Sequence, residues 1–330
     1  MNDTDTDSTG LPPGSPCPLC NEAGARLLAQ GEDFEYRTLP GPFRMRQCCA
    51  CGHGFLDPPP ARENLAAIYP STYYTINPRS PIHFEGGIQK IKMRRDVDRI
   101  IKLAGAPAPR TIVDLGCGDA ERLAQIGERL RGRDPGVRLI GVDLQPDPER
   151  VREIAARGVE LVQGNMEERL DVIEDAGADL VIMCQIIEHL YDPFSSLETI
   201  ASKLAPGGRL LIETPNLGGP DFRRFKDKHW GGYHFPRHFH LFTTRTLRQA
   251  VERAGLEVVE GGFIPSGFSI VSFRNRLGLT SIERGDRFGE FLHMRNLLVV
   301  GASTAFDLAV IALGGETSNQ YLIARRPTSS

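Results

Sequence analysis

No excess of one charge marks this chain: 39 Lys and Arg stand against 42 Asp and Glu, a formal net charge of -3. Gripping nucleic acid takes a concentrated basic face, so that class of function is disfavoured. Only two short basic stretches rise above the background, "KIKMRRDVDRIIK" (90–102) and "RRFKDKHW" (223–230). A solvated helix face and a solvated loop account for them; the alternative is a site for phosphate or an anionic membrane surface. A secretory leader is missing too. The opening "MNDTDTDSTGLPPGSP" is polar and acidic, so residues 1–15 are expected to be a disordered tail and the location cytoplasmic. In that compartment seven cysteines do not read as a disulfide framework. Also missing is an apolar run of the about 20 residues that cross a bilayer. The stretch "LLVVGASTAFDLAVIAL" (297–313) is shorter and carries Asp307 near its middle. It is expected to be a buried helix, with contact to a membrane surface as the alternative.

The cysteines present are spaced as ligands. Cys17 and Cys20 form C-x2-C in "CPLC", and Cys48 and Cys51 repeat the spacing in "CCACGHG". Two such knuckles suit tetrahedral zinc, and four protein ligands leave no open position, so the site is expected to be structural. Cys49 lies between, and His53 is an alternative fourth ligand. The competing reading is free buried thiols. A module over 16–60 is too small for much core of its own and would need such a staple. The proline-rich "DPPPARENLAAIYPSTYYTINP" then marks a boundary, and 61–87 reads as a linker whose tyrosines either cover a pocket or pack.

From residue 88 the chain alternates. Strands are expected at 111–116, 138–143, 159–163, 179–184 and 208–213. Helices are expected at 88–104, 120–131, 147–157, 192–204 and 244–254. Such alternation makes an α/β, doubly wound, mostly parallel sheet, with ligands at the carboxyl ends of the strands. After the first strand stands "DLGCGDA", after the second "VDLQP" with Asp143, then "QGNMEE", "CQIIEHLYDP" and "ETPNLGG". The G-x-G-x-x-G fingerprint of nicotinamide cofactors is incomplete, because Glu121 takes the third glycine position. Asp114 precedes the first glycine; a carboxylate there opposes a pyrophosphate and suits a cationic ligand. S-adenosylmethionine carries an ammonium and a sulfonium and no phosphate. Gly116 and Gly118 let the backbone approach closely, and Asp143 can accept from ribose hydroxyls.

Together, "DLGCGDA", "GVDL", "GNMEE", "IIEHLYDP" and "LAPGGRLLIETPN" resemble the class I S-adenosylmethionine-dependent methyltransferases over about 85–263 and the last strand. The pattern of that family has glycine where Ala120 stands and often aspartate where Asn165 stands. The resemblance implies a Rossmann-like, seven-stranded sheet ending in strands at 256–263 and 319–327, within a domain spanning 88–330. It implies that Asn165 and Met166 flank the adenine and that Cys184 and Gln185 line the methionine end. Cys117 and Leu144, beside the glycines and Asp143, complete the expected cofactor set. With the N-terminal zinc-ribbon-like module, the chain resembles a bacterial subgroup acting on sugars, polysaccharide precursors and secondary metabolites. A small-molecule acceptor, O-directed transfer and S-adenosylmethionine with structural zinc are therefore expected. An RNA methyltransferase and a non-catalytic binding protein are the alternatives.

Insertions near 217–242 and 264–318 are expected to select the acceptor. The first contains "HWGGYHFPRHFHLFT" (229–243), with His229, His234, His238 and His240. A hydroxyl nucleophile needs a base, and histidine titrates in the right range. His238 stands first, in a P-R-H-x-x-x-F segment seen in the subgroup, then His234; His189 of "IIEHLYDP" is a third candidate. A metal site, H-x3-H-x-H, and purely structural histidines remain open. Arg237 could pair with an acidic or phosphorylated substrate.

Overall fold

The computed structural model describes residues 15–70, 73, 87–132, 134–279, 289 and 291–328. The expected tail, save its last residue, and most of 71–86 lie outside these. Three short strands come first, β1 (Ala25–Gly31), β2 (Phe43–Cys48) and β3 (Gly54–Leu56), then a one-turn helix, α1 (Leu65–Ile68). The alternation runs α2 (Gly87–Ala104), β4 (Thr111–Leu115), α3 (Glu121–Arg131), β5 (Arg138–Asp143), α4 (Pro148–Ala156) and β6 (Val159–Gln163). It continues through β7 (Ala178–Cys184), α5 (Pro193–Lys203) and β8 (Leu204–Pro215). Then follow α6 (Pro220–Phe225), β9 (His240–Leu241), α7 (Thr244–Arg253), β10 (Glu257–Phe263), α8 (Phe268–Arg276), α9 (Leu297–Ala312) and β11 (Asn319–Arg325).

Local chemistry sets several of these boundaries. Asp147 and Asp192 each precede a proline and accept the first free helical N–H groups of α4 and α5. Thr243 and Thr246 close a capping box at the start of α7. α3 buries Leu123, Ala124, Ile126, Gly127 and Leu130, one face at helical spacing. Each buried Leu or Ile there is worth about 1.5–3 kcal/mol. A Cβ on Gly127 would come within 2.2 Å of Leu139, so glycine lets α3 sit close on β5.

The large sheet has the order β10-β11-β8-β7-β4-β5-β6. β4 pairs in parallel with both β5 and β7, so the strand order reverses at β4. The crevice at that reversal, above the β4–α3 turn, is where ligands bind in such sheets. β11 runs antiparallel between β8 and β10. β8 starts earlier than expected: the "LAPGG" turn joins the strand through a bulge, Ala178 pairing Leu204 and Leu180 pairing Arg209.

The small sheet has the order β1-β2-β3-β9, all antiparallel. Its fourth strand comes from the 217–242 insertion, so the cysteine region is not a free-standing module. Cys17, Leu19, Cys48, Cys51 and Phe55 share one apolar core with Leu197, Phe242, Leu247 and Val251.

α9 forms as a helix, but the expectation that it is buried is wrong. Its buried residue is Asp307, which accepts the Ser266 N–H at 2.8 Å. Hydrophobicity alone suggested burial; the helix instead turns its one charge inward. Among the described residues no helix is long and apolar enough to cross a membrane.

Candidate active site

Three left-handed residues shape the turn after β4: Gly116 (φ 70°), Gly118 (φ 59°) and Ala120 (φ 55°). A Cβ on Gly116 would lie 1.9 Å from Ile186 Cδ1, so glycine is required there. Ala120 adopts the glycine conformation at a cost of about 1–2 kcal/mol. The Gly116 N–H donates to Val142 O at 2.7 Å, tying the turn to β5. Asp143 Oδ2 accepts the Gly118 N–H at 2.8 Å.

Gly116, Asp143, Leu144, Asn165, Met166 and Gln185 line one cavity at the ends of the strands. Glu167, Ile186, His189, Leu190 and Tyr191 complete the wall, and Leu65, Tyr69 and Tyr73 cover it from the 61–87 segment. Among the described residues, two carboxylates and no lysine or arginine line this cavity; Arg62 Nη1 lies 3.7 Å from Glu167 Oε2. Burial raises the pKa of Asp143, opposed by the backbone N–H groups of Gly118, Gln145 and Leu144.

Other expected cofactor residues sit elsewhere. Asp114 is fully buried behind the turn, and Arg122 Nη2 reaches both its oxygens at 3.0 Å. Burial pushes its pKa up and Arg122 pulls it back. The expected anionic rim therefore belongs to Asp143 and Glu167, not to Asp114. Cys117 turns its sulfur into the core beside Gly141, and Cys184 packs against the same core. Burial pushes both thiols well up. Gly118 faces open space. Nearby, Arg99 ion-pairs with Glu213 and Asp96. Arg99 Nη1 and Arg122 Nε are buried donors with no partner among the described residues.

A second cavity, of about 230 Å³, shares Gln185 and His189 with the first. His189, His234, His238, Glu35, Arg274 and His293 supply its polar wall; Phe268, Val271, Leu279 and Met294 supply its apolar wall. His234 is held at φ 42°, and its Nδ1 lies 2.7 Å from Glu35 Oε1. A carboxylate accepts, so Nδ1 carries the proton and Nε2 accepts from the Tyr73 hydroxyl at 3.2 Å. His238 Nδ1 donates to Gly232 O at 2.8 Å, which leaves its Nε2 lone pair facing Glu188 Oε1 at 4.0 Å. His189 Nδ1 donates to Arg237 O at 3.0 Å and meets the Tyr69 hydroxyl at 3.0 Å. Burial, then the neighbouring imidazole of His234, holds His189 down at about 3. Burial and the same neighbours push His238 well below its ordinary range. Both rings are therefore neutral acceptors at neutral pH.

Glu188 accepts from Thr214 at 2.9 Å through Oε2, while Oε1 has no hydrogen-bond partner among the described residues. Burial pushes its pKa up to about 8, so it carries a proton at neutral pH. Glu188, His189 and His238 hold their ligand atoms within 4.8 Å and could surround a metal ion. A proton on Glu188 answers the same lone pairs without one.

Two expectations for this loop are corrected. H-x3-H-x-H is not one site, because His240 turns away and its Nδ1 lies 3.0 Å from His53 Nε2. The same contact takes His53 away from the cysteines. Arg237 is not free for a substrate: it is fully buried, with Nη1 and Nη2 each 3.0 Å from an oxygen of Asp33. Burial alone would raise Asp33, but Arg237 and then Thr38 outweigh it and hold the carboxyl at about 2.

A family model described as a methyltransferase domain matches residues 89–261, just over half of the chain. This chain belongs to the methyltransferase domain family. A probable S-adenosylmethionine-dependent methyltransferase of Mycolicibacterium smegmatis is 29% identical over 55% of this chain and 65% of that protein. A ubiquinone biosynthesis O-methyltransferase of Aeromonas salmonicida is 32% identical over 36% of this chain and 49% of that protein. The chain thus spans about half to two thirds of the length of these relatives. Among solved structures, the 1,6-didemethyltoxoflavin-N1-methyltransferase of Burkholderia thailandensis, holding 1,6-didemethyltoxoflavin and S-adenosylhomocysteine, has a TM-score of 0.48. It is 16% identical, over 86% of this chain and 96% of that one.

The methyltransferase domain match takes in most of the first cavity and all three candidate histidines, but not Glu35, α8 or Cys17, Cys20, Cys48 and Cys51. The cysteines converge: Cys17 Sγ lies 3.6 Å from Cys51 Sγ, and Cys20 Sγ lies 3.5 Å from Cys48 Sγ. Thiolates 2.3 Å from a tetrahedral zinc stand about 3.8 Å apart, so the four positions fit such an ion. Cys49 is exposed and outside the group. Burial pushes Cys17 up to about 11, whereas at Cys48 the backbone N–H groups of Cys51 and Ala50 outweigh burial and hold it at about 7.

Glu35, Asp33 and the α8 residues had no signal in the sequence. "GEDFEY" (31–36) is an unremarkable acidic stretch until the fold brings it to His234 and Arg237.

Proposed function

We propose that the protein is an S-adenosylmethionine-dependent methyltransferase that methylates a hydroxyl of a small acceptor. One observation carries this reading. A glycine-cradled cavity lined, among the described residues, by two carboxylates and no lysine or arginine shares a wall with a second cavity that holds the neutral rings of His189 and His238. A cofactor with a pyrophosphate would meet the carboxylates of Asp143 and of Glu167, the latter paired with Arg62; a sulfonium nucleoside is favoured there. Gly116 would cradle it, Asp143 would accept from the ribose hydroxyls, and Asn165 and Met166 would flank the base. When bound, the cofactor supplies an electrophilic methyl group.

The chain's own residues supply position and a base. The acceptor hydroxyl would displace the Tyr73 hydroxyl from His234 Nε2 and give its proton to that nitrogen, while Glu35 stabilises the charged ring through Nδ1. This arrangement favours His234 over His238, whose Nε2 faces Glu188 instead. His189 and His238 accept hydrogen bonds from the acceptor and orient it. The apolar wall from α8 and Met294 calls for an acceptor with an apolar part, a description that admits glycosylated secondary metabolites and lipid-like polysaccharide precursors. The O-methyltransferase names of several relatives support transfer to oxygen.

The four cysteines would hold structural zinc, leaving no open position for catalysis. Its place in the reaction would be indirect: it would fix β1 to β3, and the turn between β1 and β2 carries Glu35 to His234 and Asp33 to Arg237.

Calorimetric titration tests the reading. The protein should bind S-adenosylmethionine and not a nicotinamide dinucleotide, and Asp143→Ala should weaken binding by about 1–3 kcal/mol. Binding of the dinucleotide with none of the sulfonium compound would overturn it.

A further inference from the structure

α9 inverts the usual pattern of a surface helix. It carries one charged residue, Asp307, and that residue is buried. Asp307 accepts from the Ser266 backbone, and Ser303 meets Ser269 of α8 at 2.8 Å, so the polar side of α9 faces the protein. The outward side offers Leu297, Leu298, Phe306 and Leu308, with Leu313 just beyond the end; Leu298 is 79% exposed and Leu313 88%. Phe273 of the adjoining α8 and Leu277, just past its end, extend the same face. Singly exposed apolar residues are ordinary, but an uncharged face along a helix of about 24 Å marks an interaction site.

Charge beside the face identifies what covers it. Phe273 packs on Phe225 at the end of α6, with ring centroids 4.9 Å apart, so the apolar face runs directly into the 223–228 stretch. Arg223, Arg224, Lys226 and Lys228 are all exposed there, and Arg276 adds a further cation 3.7 Å from Asp227. A second copy related by a two-fold axis would bring an equally basic rim towards this one. An apolar plane bordered by cations is complementary to acyl chains beneath anionic headgroups.

We infer that the α8–α9 face docks on the surface of an anionic lipid bilayer, with α9 lying in the interface and not crossing it. Phe268 and Val271 of α8 line the second cavity, so docking places that cavity against the lipid. The acceptor then enters from the membrane by its apolar part. Only this last step rests on the proposed methyl transfer; docking is read without turnover.

Flotation of the full chain with phosphatidylcholine vesicles, with and without phosphatidylglycerol, tests the inference. Binding is expected only where phosphatidylglycerol is present, and it should fall with added salt. Lys226→Ala and Lys228→Ala should each lower the partition coefficient roughly fivefold. The double variant Leu298→Glu/Leu308→Glu should abolish flotation while circular dichroism and S-adenosylmethionine affinity stay unchanged, because both positions are exposed. A variant that stops floating and also unfolds is replaced by Phe273→Ser, with loss of flotation again expected. No flotation with either vesicle, or equal flotation with both, overturns the proposal. So does a dimer in light scattering that the double variant dissociates, since a second copy would then own the face.

Discussion

The cysteine cluster and the histidine cluster lie along one small sheet and are built in opposite ways. Each half of the cysteine cluster comes from neighbours three positions apart in the chain, and their thiols converge on a point that an ion can fill. The histidine cluster brings Glu35, Tyr73 and His189 from separate segments to His234 and His238 of one loop and holds them by hydrogen bonds. The first is arranged to hold a metal ion, the second rests on tertiary structure. The pairing of β3 with β9, Gly54 with Leu241 and Phe55 with His240, makes the second depend on the first.

Stripping the metal is the strongest way to break that dependence. Structural zinc contributes about 10–16 kcal/mol of apparent binding energy in small zinc-finger peptides. Chelation, or Cys48→Ala, is expected to unfold β1 to β3, release β9 and abolish activity. Hydrogen exchange over 25–56 and 231–243 checks this; if the second segment stays protected after the first opens, the clusters are independent.

A more selective cut is Arg237→Met, which strands Asp33 as an unpaired buried carboxylate between the two regions. Urea denaturation should show a loss of about 3–5 kcal/mol. The pair also sets a pH limit. The folded pKa of Asp33 is about 2 against an ordinary 3.8. Its stabilisation is therefore full above 3.8 and is lost as pH falls towards 2. The loss is worth about 2 kcal/mol, and Arg237→Met should not show it.

The smallest cut sharpens the comparison within the histidine cluster. His234→Gln should slow turnover about a hundredfold, or about 2.7 kcal/mol, with cofactor affinity unchanged. His238→Gln should cost less, because no carboxylate orients its ring by a hydrogen bond. The reverse order of effects would return the role of base to His238.

The strands and helices from 88 to 263 were legible because their signals are local: apolar runs, aspartate–proline caps and a glycine turn. Residues at strand ends could be assigned to a cavity for the same reason. Asp114 could not, because its identity says nothing of the side it faces; within β4 it points behind the turn to Arg122. Tyr69 and Tyr73, ambiguous in the sequence, do cover a cavity. The ranking of histidines failed to anticipate Glu35, which lies far from His234 in the chain. α9 was misread because apolar content was taken as burial, when the telling sign was the absence of charge from every outward position.

Gln185 and His189 form a party wall between two rooms with different tenants. Any change to that wall disturbs both, so it has little freedom to drift. Phe268, Val271, Leu279 and Met294 touch only the far room. If the near room holds the methyl donor, as proposed, diversification towards new acceptors is channelled into those four positions.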